Sequence, residues 1–123
     1  VAGFIGSPAM NFLDGVSTGD AVTLNDLEGT YALPVTIPAA GTEISVGIRP
    51  EHIEIDPNGD THTVDLTEAL GGVSYVHLKS NTGEKIIVEE RGDDRSREGI
   101  RVGITLPLDR AMLFDRETEQ RIR

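Results

Sequence analysis

Histidines, paired carboxylates and glycine-bracketed loops are the residues of this chain that could carry chemistry. His52, His62 and His77 lack the His-x-x-x-His or His-Glu-x-x-His spacing that sets two imidazoles on one helix face for a metal, so each reads as an ordinary strand or rim residue. Asp56, Asn58 and Asp60 alternate as the first ligands of a calcium loop do. Such a loop needs glycine at its sixth place and a bidentate glutamate at its twelfth, where this chain has Thr61 and Thr67. With Pro57 and Gly59 between them, these residues read as a polar turn. Asp93 and Asp94 would serve acid–base catalysis only in two environments that separate their pKa values; in the charged stretch 91–98 both read as solvated carboxylates. Gly3-Phe4-Ile5-Gly6 has the letters of an RNA-clamping GXXG loop, with an apolar interior and no basic flank. No phosphate-cradling G-x-x-x-x-G-K-[ST], dinucleotide G-x-G-x-x-G or nucleophile elbow G-x-S-x-G occurs. Neither a catalytic centre nor a metal site is expected.

The segment Arg49-Pro50-Glu51-His52 carries the most recognition chemistry in the fewest residues. Arg49 offers a planar donor fork, Glu51 a carboxylate that can pair with it or with a partner, and His52 an imidazole able to donate to a carbonyl or to change charge near neutrality. Pro50 fixes the chain direction as it leaves the preceding strand. The plainest reading is a sharp corner that pins a lobe or dimer contact; the second is a surface that recognises a partner.

The elements that must position these residues are short strands. Ala21–Leu24 and Thr30–Ile37 alternate loosely, with Pro34 reducing the second to an edge strand or two shorter pieces. Pro38 to Gly41 is a turn. Ile44, Val46 and Ile48 alternate with Ser45 and Gly47, which predicts a half-buried strand with one apolar face. Ile53 and Ile55 resume the alternation, and Thr63–Leu70, Val73–Lys79 and Lys85–Glu90 form a meander. Gly71-Gly72 makes a bulge or tight bend in it, and Asn81-Thr82-Gly83 a hairpin turn. Gly99–Leu106 and Ala111–Phe114 follow, with one helical turn near Leu108–Ala111. Nine or ten such strands predict a small all-β barrel or sandwich.

Composition sets the outer limits. A chain of 123 residues buries about two thirds of its unfolded surface as one domain and needs no metal or disulfide staple. Twenty-one acidic against eleven basic residues give a net charge of -10, which repels phosphate backbones and anionic lipid, so nucleic acid is not an expected partner. Phe4, Phe12, Tyr31, Tyr75 and Phe114 are too scattered along the sequence to suggest a base-stacking platform. The absence of cysteine excludes disulfides and thiolate chemistry and fits a reducing compartment. No apolar run approaches the length that spans a bilayer. The chain starts Val1-Ala2-Gly3-Phe4, without initiator methionine or basic leader, and reads as a processed chain or a piece of a longer one.

Three motifs in order resemble one family. Val1 to Phe12 (VAGFIGSPAMNF) resembles the connector that follows the nucleotide-binding domain in ATP-binding subunits of ABC carbohydrate importers of the maltose, trehalose and glycerol-3-phosphate type. Val46-Gly47-Ile48-Arg49-Pro50-Glu51-His52 is similar to the G-I-R-P-E-H signature of the same proteins' C-terminal regulatory region, and Leu113-Phe114-Asp115 to its closing L-F-D.

The resemblance implies an OB-type β-barrel (TOBE-like) elaborated into two small lobes, with residues 1–13 as connector and 14–123 as the regulatory domain. It implies a role in subunit association and in control of ATP-driven uptake. The implied partners are a second ATP-binding subunit, the transmembrane permease subunits and a cytoplasmic regulatory protein. The implied location is the cytoplasmic face of the membrane. ATP and magnesium would belong to the intact parent, with no cofactor in this part. Arg49, Pro50, Glu51, His52, Phe114 and Asp115 are then the candidate interface or regulatory residues. Two departures stand out. Thr118-Glu119 replaces the family's Thr-Gly, so the last hairpin is expected to differ or fray, and Gly71-Gly72-Val73 replaces a more polar turn. The alternative reading is a module of the same fold that binds a small oxyanion or sugar.

Overall fold

A computed structural model describes residues 10–92 and 98–123; Asp93 and Asp94 lie outside the described residues, as does the Gly3–Gly6 loop. Among the described residues, ten strands form two five-stranded antiparallel sheets. The first runs in the order β10 (Arg121–Ile122), β9 (Met112–Asp115), β3 (Glu43–Ile48), β1 (Asn11–Ser17), β2 (Val22–Leu24). The second runs β4 (Glu54–Asp56), β8 (Arg101–Thr105), β5 (His62–Ala69), β6 (Val73–Ser80), β7 (Lys85–Arg91). The chain is all-β, as expected, and among the described residues the ladders do not close into one continuous barrel. Among the described residues two 3-10 turns interrupt the strands, at Pro50–His52 and at Leu108–Arg110; the second was expected, the first was not.

The alternating apolar residues of both sheets turn inward to one core. Leu13, Val22, Ile44, Val46, Ile48 and Leu113 come from the first sheet and Val64, Val76, Leu78, Ile86, Val88 and Val102 from the second. Burial of these side chains is the main favourable term, worth about 1.5–3 kcal/mol for each large aliphatic group before entropy is set against it.

Hydrogen bonds made by side chains lock the sheets together where no strand pairing exists. Asn11, buried at the start of β1, donates from Nδ2 to the Ile87 carbonyl and accepts from the Ile87 N–H, both at 2.8 Å. Its amide copies the donor and acceptor of a neighbouring strand and satisfies a residue on the edge strand β7. Three residues on, the Asp14 N–H donates to Glu84 Oε2 at 3.0 Å. At the far end of the second sheet the backbones of Gly59 and Gly103 touch, and a Cβ on Gly59 would stand 2.3 Å from the Gly103 Cα. Glycine is required there for close approach rather than for its φ angle.

Three expectations need correction. Strand β1 begins at Asn11, so residues 11–13, assigned above to the connector, already pair with Val46 to Ile48 of β3. Thr30–Ile37 is not a strand: only Tyr31 bridges Val22, because Pro34 and Pro38 have no N–H to extend a ladder. Leu33 nonetheless reaches the core, and Val35 and Ile37 pack against it. Strand β3 is buried on both faces from Ile44 to Ile48, since it lies between β1 and β9 and its outer face is covered by side chains described below. The other turns fall as expected, Gly71-Gly72 making the tight bend with both residues at positive φ.

Replacing Asn11 by alanine strands the N–H and C=O of Ile87 together, and should cost about 2 kcal/mol of stability in urea unfolding with the slope unchanged. A loss under a few tenths would mean that water replaces the amide and that packing alone joins the sheets.

Candidate functional site

The corner after β3 is built by Pro50. Its ring is buried, the 3-10 turn closes with the His52 N–H donating to the Arg49 carbonyl at 3.0 Å, and Ile53 anchors the exit in the core. The turn lies against β7, which leaves Arg49 and Glu51 exposed and His52 half-buried. His52 Nδ1 is buried with no hydrogen-bond partner among the described residues.

Phe114 and Asp115 sit elsewhere. On β9 they pair with Ser45 and Ile44 of β3, so four residues of strand, about 13 Å, separate the Phe114 position from Arg49. The six candidate residues therefore form two patches, one at the corner after β3 and one on the outer face of β3, where the Phe114 ring reaches over Gly47, two residues before Arg49.

The second patch gathers residues that the sequence motifs held apart. Gly47 has no side chain, and the space above it is filled by Met10, Phe12 and Phe114: a Cβ there would stand 2.7 Å from Met10 Sδ, 2.9 Å from Phe114 Cε2 and 3.3 Å from Phe12 Cε1. Phe12 and Phe114 meet edge to face, with centroids 5.5 Å apart and planes at 71°, the arrangement that aromatic quadrupoles favour. Phe12 remains 49% exposed, which is unusual for a large aromatic and leaves a ring edge available for contact. Beside it, Ser45 Oγ donates to Asp14 Oδ1 at 2.7 Å, and Arg116 lies 3.6 Å from Asp14 and 3.9 Å from Glu43. Met10, Gly47 and Arg116 were not singled out from sequence; a glycine inside a strand pattern was the one signal that something approaches closely there.

Asp115 organises the closing turn. Its Oδ1 accepts from the Glu117 and Thr118 N–H groups at 2.8 and 3.1 Å, and its carbonyl accepts from the Glu119 N–H at 2.7 Å. The hairpin expected to fray is formed, with β10 paired to β9. Glu119 achieves this at φ 63°, among the described residues the one non-glycine in the left-handed region.

Comparison with known proteins decides the lineage. Residues 46–114 match the TOBE domain model and residues 6–53 the model of the MalK OB fold domain. The chain belongs to the TOBE domain family. This TOBE domain is 42% identical to the lactose transport ATP-binding protein LacK of Rhizobium radiobacter, over 94% of its own length and 35% of that protein. It is 39% identical to the sn-glycerol-3-phosphate import ATP-binding protein UgpC of Salmonella typhi, over 99% of its own length and again 35% of the relative. It thus spans about a third of these relatives. A solved structure of the cytoplasmic molybdate-binding protein ModG, with molybdate bound, superposes with a TM-score of 0.67 at 17% identity, covering 85% of this chain and 95% of that one; the likeness is one of fold.

Three titratable groups among the described residues of the TOBE domain are held away from their ordinary values, the simplest being Tyr31, whose hydroxyl burial pushes up. Burial, then the nearby carboxylates of Asp26 and Asp14, pushes the Glu84 carboxyl up, against the opposing N–H donated by Asp14. Burial pushes the His62 imidazole down, and Arg101 adds to this while Asp26 opposes it. His62 is fully buried, with Nδ1 2.8 Å from Thr61 Oγ1. The folded state holds the Glu84 proton more tightly than the unfolded chain does. Its contribution to stability is therefore complete in acid below the ordinary glutamate value, and declines as pH rises through the raised one. His62 works in the opposite sense, its contribution being lost as pH falls below the ordinary histidine value.

Glu84→Gln keeps the acceptor for Asp14 and removes the titration. The variant should gain stability over the parent as pH rises toward neutrality, read from urea midpoints across pH; parallel pH curves would show the carboxyl to be solvated. Glu119→Gly should stabilise the closing hairpin by about 1 kcal/mol, because glycine occupies the left-handed region without the Cβ clash. A decrease in thermal midpoint would contradict the strain assigned to Glu119.

Proposed function

We propose that this domain is the regulatory and dimerisation part of the ATP-binding subunit of an ABC importer for a sugar or glycerol-3-phosphate. The observation that carries the reading is the alignment of nearly the whole chain with LacK and UgpC, proteins named for lactose transport and sn-glycerol-3-phosphate import. The geometry is suited to a contact module: two sheets locked by side-chain hydrogen bonds present an exposed corner at Arg49 and Glu51 and an aromatic patch in which Phe12 is exposed and Phe114 half-buried.

In this reading the domain adds contact area between two ATP-binding subunits while their nucleotide-binding parts open and close. ATP and magnesium are held by those parts of the parent, and permease subunits complete the transporter. Among the described residues no helix is long and apolar enough to cross a membrane, and the reading puts the domain at the cytoplasmic face through the assembled importer. A cytoplasmic regulator docking on the corner or the aromatic patch shifts the cycle only as far as it binds one state more tightly than the other.

An oxyanion-binding module is the weaker reading. Arg116, the basic residue beside the aromatic patch, already faces Asp14 and Glu43, and a net charge of -10 opposes an anionic ligand.

Removal of residues 14–123 from the intact parent should weaken nucleotide-dependent subunit association in analytical ultracentrifugation and abolish regulation of uptake. Unchanged association together with unchanged regulation would overturn the proposal.

A further inference from the structure

Between the aromatic patch and the closing turn lies an open cleft of about 400 Å3, lined by Phe12, Ser45, Phe114, Asp115, Arg116 and Glu119. That volume is within the range of small-molecule sites. Three features of its wall bear on what it could hold. Phe12 keeps half of its surface in water although the core lies directly beneath β1. Glu119 occupies the left-handed region and lines the cleft, and among the described residues no hydrogen bond or ion pair takes its carboxylate. Arg116 is ion-paired with Asp14 and Glu43 at 3.6 and 3.9 Å, which balances its charge without a hydrogen bond to either, so its N–H groups can still donate to a neutral hydroxyl.

The geometry points to a binding site for one neutral carbohydrate ring in this cleft. The apolar C–H face of the sugar lies on the aromatic pair, while its hydroxyls donate to Glu119 and Asp115 and accept from Arg116. Each group does what its chemistry allows. A pyranose has one face of C–H bonds that gains by leaving water against an aromatic ring. Vicinal hydroxyls match a carboxylate's two acceptor oxygens and a guanidinium's parallel donors. Asp115 retains Oδ2 for this, its Oδ1 being used by the turn. Charge selects among ligands: with Asp14, Glu43, Asp115 and Glu119 around one arginine, a phosphate or molybdate is repelled and an uncharged sugar is not. The inference rests on the cleft and stands whether or not the domain regulates an importer.

The test is titration of the full 123-residue chain, followed by amide chemical shifts, with glucose, galactose and lactose, and in parallel with glycerol-3-phosphate, molybdate and spermidine. Saturable shifts with a neutral sugar at Phe12, Ser45, Phe114 and Glu119 are expected. Phe12→Ala should weaken binding roughly tenfold and Glu119→Gln about threefold to fivefold. Leu70→Ala, at the exposed tip of the β5–β6 hairpin, should leave it unchanged. Both cleft variants alter exposed side chains, and their spectra report directly whether they remain folded. Absence of saturable binding by all three sugars overturns the proposal. So does sugar binding that maps away from the cleft or is indifferent to both variants, and so does preferential binding of an anion or of spermidine there.

Discussion

The structure depends on a junction that no strand pairing supplies. Two five-stranded antiparallel sheets each have edges, and an edge leaves a row of backbone groups unpaired. Where β1 of one sheet passes β7 of the other, the Asn11 amide pairs with both polar groups of Ile87 and the Glu84 carboxyl receives the Asp14 N–H. Asparagine suits this position because its side chain carries the same donor and acceptor as a peptide. The apolar core can then be continuous between the sheets, with Val46 and Leu113 from one and Val76 and Val88 from the other in the same cluster.

Strand β3 carries the next constraint. It is flanked on both sides and covered on both faces, so its residues must satisfy two environments at once. Ile44, Val46 and Ile48 serve the core. On the other face Ser45 pairs with Asp14, and Gly47 stays bare so that Met10, Phe12 and Phe114 can close over it. This one glycine brings the chain's first described residues to its last hairpin. Any side chain there would displace the aromatic pair, which makes the patch a consequence of backbone proximity rather than of aromatic attraction alone.

The half-buried Glu84 and the buried His62 respond to pH with opposite consequences. Glu84 resists ionisation among carboxylates, whereas His62 resists protonation in its dry setting. Stability consequently responds to pH in two senses that partly offset each other.

Much of this protein was legible in the residues. Alternation placed β3 and β5 to β9 within a residue or two, glycine and asparagine pairs marked the hairpins, and the ordered G-I-R-P-E-H and L-F-D segments pointed to the family that the comparisons then showed. Those are local properties: the two-residue period, the fixed φ of proline and the left-handed tolerance of glycine act over a few neighbours. The sequence could not say that Thr30–Ile37 makes one bridge instead of a strand, that β3 is buried on its outer face, or that Glu119 enters a conformation proper to glycine and still closes its turn. Nor could it say that the Arg49 corner and the Phe114 ring both lie along β3, or that Phe12, Gly47 and Phe114, dozens of residues apart, form one patch. Those outcomes depend on which strands become neighbours and on what each backbone leaves uncovered, and only packing the whole chain decides that.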